Sequence, residues 1–156
     1  MTTSDSTDPG AVTGVVVGDD GSRRALEAIE YAAEEAARRD TTLHVVRAWN
    51  IKTAVRPEGV DKNMVPSTQE FHDATLAATR QRASEIAERL GVRADVIVLH
   101  GAATKALLDL SRTAAVIVVG DRGVGGFAGR FIGSVADTVV REASCPVIVV
   151  RRPQQA

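Results

Sequence analysis

The chain has 156 residues, 44% apolar and 25% charged, which fits one soluble globular domain and excludes two full-sized ones. Its 19 basic and 20 acidic side chains leave a net charge of −1 with no long run of one sign, so neither a basic nucleic-acid face nor a polyacidic tail stands out. One Trp, one Tyr and three Phe provide no stacking platform for single-stranded nucleic acid and leave the core to Val, Ile, Leu and Ala.

The single cysteine, Cys145, excludes an internal disulfide and a multi-thiolate zinc site and fits a reducing compartment. Met1 to Gly10 is rich in Ser, Thr and Asp, with neither the basic nor the apolar region of a leader, and no apolar stretch approaches the roughly 18 residues of a membrane span. The expectation is a cytoplasmic protein without membrane or nucleic-acid partners. It has a disordered segment over 1–10, one domain over 11–152 and a short tail at 153–156.

Val12 to Gly18 is a β-branched run closed by Asp19, Asp20 and Gly21, with Ser22 placed to cap a helix. From Arg23 to Arg39 the apolar positions Ala25, Leu26, Ile29, Ala32, Ala33 and Ala36 recur at three and four, the pattern of a helix buried on one face. Thr42 to Ala48 reads as a second strand. Trp49 to Pro66 has no stable period and holds Pro57, Gly59 and Pro66, which predicts a long, mobile excursion. Ser67 and Glu70 have capping-box spacing and open a helix that Gly91 stops. Ala94 to Leu99 is a third strand, followed by the Gly101 turn and a helix carrying Ala106, Leu107 and Leu110. Ala115 to Val119 is a fourth strand, a helix runs from Ser134 to about Glu142, and Pro146 to Val150 is a fifth strand. Five buried-type strands alternating with four helices predict an α/β fold: an open, mostly parallel, Rossmann-like sheet with helices on both faces.

In such sheets ligands sit at the carboxyl ends of strands, where the strand order reverses. After strand four the sequence runs Gly120, Asp121, Arg122, Gly123, nine residues, then Gly133 and Ser134 at a helix start. Glycine lets backbone amides approach and wrap an anion, and a helix N-terminus adds unpaired N–H groups and a partial positive charge. The predicted feature is a phosphate cradle. Arg122 and Arg130 are its available cations, and the Ser134 hydroxyl can serve a phosphate oxygen or Mg²⁺. No glycine precedes Lys-Ser or Lys-Thr, so there is no P-loop. Gly123, Gly125 and Ala128 only mimic a dinucleotide fingerprint, because no βαβ unit or acidic ribose ligand follows.

The spacing Gly120, Gly123, Gly133, Ser134 matches G-x2-G-x9-G-[ST], and from Val12 to Arg151 the chain resembles a universal stress protein of the ATP-binding type. The resemblance implies strand order 3-2-1-4-5. It also implies Asp20 against the nucleoside, the Val45 region bordering the adenine, and Gly120, Arg122, Gly123, Gly133, Ser134 and Val135 around ribose and phosphates. The implied ligand is ATP with Mg²⁺. Three positions depart from the family pattern: Ala115 for a usual Asp, Ala103 for a frequent proline, and Asp121 for a small polar residue. Asp121 places a carboxylate beside the phosphates, repelling them unless it points away or helps hold Mg²⁺.

Asp19 could bind a ribose hydroxyl or a metal, but it reads first as a turn residue, the family match favouring Asp20 as the ligand. His44, His72 and His100 have no metal-like spacing and read as structural, as does Cys145, which has no adjacent base. Trp49 fits either over the ligand mouth or under the long excursion. The functional expectation is an adenine-nucleotide-binding regulatory protein of the stress response, with no catalytic residue and at most slow ATP hydrolysis. The alternatives are a slow ATPase or phosphate-transferring enzyme, and a dimeric scaffold with an empty site. With β-strand five at the sheet edge, a homodimer joined through Val147 to Val150 is expected.

Overall fold

A computed structural model describes residues 11–122 and 132–151. The expected disordered start, the tail, Gly123 and Arg130 lie outside the described residues. Among the described residues the elements alternate as β1 (Val15–Gly18), α1 (Arg23–Arg38), β2 (Leu43–Trp49), α2 (Thr68–Leu90), β3 (Ala94–His100), α3 (Ala103–Leu110), β4 (Val116–Gly120), α4 (Ser134–Glu142) and β5 (Val147–Val150). They form one sheet in the order β3-β2-β1-β4-β5, with every pairing parallel.

That order fixes which face each helix covers. Steps β1 to β2 and β2 to β3 move one way across the sheet, whereas β3 to β4 and β4 to β5 move the other way. Right-handed crossovers therefore put α1 and α2 on one face and α3 and α4 on the opposite face. The two core layers follow the pleat. Val15, Val17, Leu43, Val45, Val116 and Val118 pack under α1 and α2, and Val16, Val46, Ile117 and Val119 pack with Leu107, Leu110, Ala136 and Val139 of α3 and α4.

Local chemistry sets the boundaries. Ser22 accepts from the Ala25 N–H at 3.1 Å to start α1. The Ser67–Glu70 capping box is closed in both directions, Glu70 N–H to Ser67 Oγ at 3.2 Å and Ser67 N–H to Glu70 Oε2 at 2.7 Å. Gly91, at φ 65°, ends α2 in the left-handed conformation. β1 starts at Val15 rather than Val12, and the preceding Gly14 lies where a Cβ would be 2.2 Å from the Thr42 carbonyl oxygen. There Val15 N–H donates to Thr42 O at 3.1 Å and Ala115 N–H donates to Gly14 O at 2.9 Å.

Trp49 is 2% exposed and stacks on His100 with ring centroids 4.5 Å apart, while its indole N–H points to His72 Nδ1 at 3.4 Å. It packs inside the body and does not line the cavity described below. The excursion after it is tied within itself, Arg56 donating to the carbonyls of Asp61 and Met64, and to α2, where Val55 N–H donates to Thr75 Oγ1.

Candidate functional site

The strand order reverses between β1 and β4, and a cavity of about 490 Å³ opens at their carboxyl ends on the α3/α4 side. β1 contributes Gly18, Asp19 and Asp20, and β4 contributes Val119, Gly120 and Arg122. Val46 and Ala48 of β2, with Leu107 of α3, form an apolar wall. Asn50 and Thr53 border the cavity from the start of the β2–α2 segment.

The N-termini of α3 and α4 both reach this cavity, through Ala102 and Ala103 on one side and Gly133, Ser134 and Val135 on the other. Their cap residues, Ala102 and Gly133, make no side-chain cap hydrogen bond. This contrasts with α1 and α2, whose serines cap their first turns. A first turn without a cap leaves amide N–H groups to an outside acceptor and adds the positive end of the helix dipole. Two such ends therefore face one cavity beside an apolar wall.

The described residues of the expected site divide around this cavity. Asp20, Gly120, Arg122, Gly133, Ser134 and Val135 all line the cavity. Val45 does not: it is fully buried in the layer under α1 and α2, and its neighbour Val46 lines the cavity instead. Alternation along the strand sends the two side chains to opposite faces. Both Asp20 and Asp19 organise the β1–α1 turn, Asp20 Oδ1 accepting from Ser22 N–H and Asp19 Oδ1 from Gly21 N–H, each at 2.9 Å.

Asp19 has a second structural role that the sequence did not reveal. Its side chain is fully buried, and Arg82 of α2 meets it with a fork, Nε to Oδ2 at 3.0 Å and Nη2 to Oδ1 at 2.9 Å, while Nη2 also donates to Ser22 O at 2.8 Å. Arg47 of β2, 6% exposed, lies directly under the turn. A Cβ on Gly21, whose φ is 81°, would sit 2.6 Å from Arg47 Nη2. Burial pushes the Arg47 guanidinium below its usual range, Asp19 and Asp20 pull it up, and Arg82 pushes it down. The turn that presents Asp20 to the cavity is thus held from beneath by paired charges.

Asp121 is turned away from the cavity. Its Oδ1 lies 3.4 Å from Arg24 Nη1 on α1, and it is not among the lining residues. None of His44, His72 and His100 lines the cavity either. The Cys145 thiol is pushed up by burial and donates to Pro146 O at 3.4 Å, consistent with a structural thiol.

An open parallel sheet with a cavity at its switch point defines the class: a Rossmann-like α/β domain whose cavity is lined by loops and helix N-termini. The model of the universal stress protein family matches residues 13–151, and the chain belongs to that family. It is 36% identical over 138 residues to universal stress protein Rv2623 of Mycobacterium tuberculosis, covering 88% of this chain and 44% of the relative. The chain therefore spans about half the length of the curated relatives it matches. Among solved structures, a universal stress protein in complex with cAMP is similar at 27% identity and a TM-score of 0.67, covering 90% of this chain and 97% of that one. The Archaeoglobus fulgidus universal stress protein in complex with dAMP is similar at 26% identity and a TM-score of 0.60, covering 89% and 98%.

Proposed function

We propose that the cavity binds an adenine nucleotide, ATP with Mg²⁺, and that the protein is a nucleotide-responsive regulator of the stress response. The carrying observation is the pair of helix N-termini without side-chain caps at one cavity with an apolar wall. The amides and dipoles suit phosphates, and Val46, Ala48 and Leu107 suit a base. The nucleotide complexes of the two similar structures support the same ligand class. In this reading Asp20 takes the ribose hydroxyls, and Gly120, Arg122, Gly133, Ser134 and Val135 take ribose and phosphates, with Gly123 assigned by its motif position alone. The Ser134 hydroxyl and the Asp20 carboxylate are oxygens fit for a magnesium ion arriving with the phosphates. With no histidine at the cavity to act as a base, the chemistry favours holding the nucleotide over turning it over.

Calorimetric titration of ATP with Mg²⁺ should give saturable binding, and Asp20→Ala should weaken it about tenfold or more, about 1.4 kcal/mol, with an unchanged circular dichroism spectrum. A wild-type titration without saturation refutes the nucleotide reading. An Asp20→Ala affinity equal to wild type removes Asp20 from it.

The partner we infer for the sheet edge is a second copy of this chain, joined cytoplasmically through β5. The carbonyls of Pro146 and Val150 accept from Ile117 and Asp121 on the β4 side, so the alternate residues Val147 and Val149 turn their main-chain groups to the open edge. An apolar edge with unpaired groups invites a further strand. Light scattering should report a dimer, and Val149→Pro should give a monomer that still binds ATP; a wild-type monomer at high micromolar concentration refutes the join.

A further inference from the structure

Asp121 stands between two cavity-lining residues, Gly120 and Arg122, yet its carboxylate is spent elsewhere. Its main chain joins three parts of the fold: its N–H donates to Val150 O of β5 at 3.0 Å, and its carbonyl accepts from the N–H of Gly133, the N-cap of α4. Its side chain, 15% exposed, reaches Arg24 in the first turn of α1. Among the described residues Arg24 is the cation paired with this carboxylate. Near the cavity the other described charged groups are Arg122, which lines it, Asp19 on Arg82, Asp20 in the β1–α1 turn, and Arg47 beneath that turn.

A carboxylate one residue from Gly120 adds negative potential where phosphate charge would gather, and its repulsion grows with each charge on the ligand. Pairing with a guanidinium removes most of that potential, and the same contact turns the carboxylate toward α1. We propose that the Arg24–Asp121 pair is a specificity device: Arg24 cancels the Asp121 charge, so that the site admits a polyphosphate. Arg24 and Asp121 are positioning residues, touching no ligand themselves. The inference rests on the nucleotide reading and adds which ligand charge the site tolerates and why.

The experiment is a calorimetric comparison of adenosine, AMP and ATP with Mg²⁺ on the full chain, for wild type, R24Q, D121N and the double variant R24Q/D121N. R24Q should weaken ATP about tenfold and AMP less, and leave adenosine within about twofold. D121N should bind ATP at least as tightly as wild type, and the double variant should regain the D121N affinity. Thermal unfolding of each variant separates binding loss from loss of fold. An equal loss for all three ligands in R24Q would show a merely structural contact and overturn the proposal. A double variant as weak as R24Q would show that Arg24 attracts phosphate directly, which also overturns it. ATP binding by R24Q equal to wild type overturns the pair's role alone, whereas a wild type that binds none of the three overturns the nucleotide reading and this inference with it.

Discussion

Asp19→Ala is expected to lower the stability of the folded chain by about 3 to 5 kcal/mol, the largest loss of any polar substitution in the site region. The carboxylate is fully buried and is the charge partner of Arg82, whose side chain is 19% exposed, with the buried Arg47 close by. Removing the anion leaves two guanidinium groups under one turn with Asp20 as the remaining counter-charge. It also strips the Gly21 N–H of its acceptor. Urea denaturation followed by circular dichroism measures the loss directly. A change below about 1 kcal/mol would mean that Arg82 swings to water at little cost and that the fork is not structural. Asp19→Asn keeps the shape and one acceptor, and should fall between the two.

Gly14→Ala should lower stability by about 2 to 4 kcal/mol although it adds only a methyl group. The new Cβ would lie 2.2 Å from a main-chain carbonyl oxygen, so β1 and β2 must part at their first hydrogen bond, Val15 N–H to Thr42 O. The neighbouring bond from Ala115 N–H to Gly14 O is strained by the same shift. Calorimetric melting is the check, and a melting temperature equal to wild type would show that the strands separate freely there. Gly14 precedes β1, at the end opposite the cavity, so the affinity of the folded fraction for ATP should not change.

These two residues show where sequence reading succeeds and where it stops. The capping box of α2, the left-handed stop at Gly91 and the one-sided alanine pattern of α1 are encoded within a few residues, and each is legible without a structure. Strand order is a long-range property and became legible only through the family motif. The face of a doubly buried strand is not legible at all: in Leu43–Trp49 both faces are apolar near the middle, so Val45 and Val46 are equal candidates until the register is known. The Asp19–Arg82 fork joins residues 63 apart, and nothing local in either segment announces it. The two helix ends at the cavity were half visible. Gly133 and Ser134 stand out by motif, while the only sequence mark of the second helix end is Ala102, a cap position without a capping side chain.

On the proposed nucleotide reading, the α3 and α4 ends would also tie the amount of this protein in a cell to what the cell supplies. The cap residues Ala102 and Gly133 give those first turns no side-chain hydrogen bond, so an anion that satisfied the amides would add its binding free energy to folding. A ligand at a hundredfold excess over its dissociation constant contributes about 2.7 kcal/mol, a large fraction of the usual margin of a small domain. The unfolded fraction that proteases act on then shrinks by about a hundredfold. A cell rich in the ligand would keep the protein, and a depleted cell would clear it, making turnover itself a record of metabolic state.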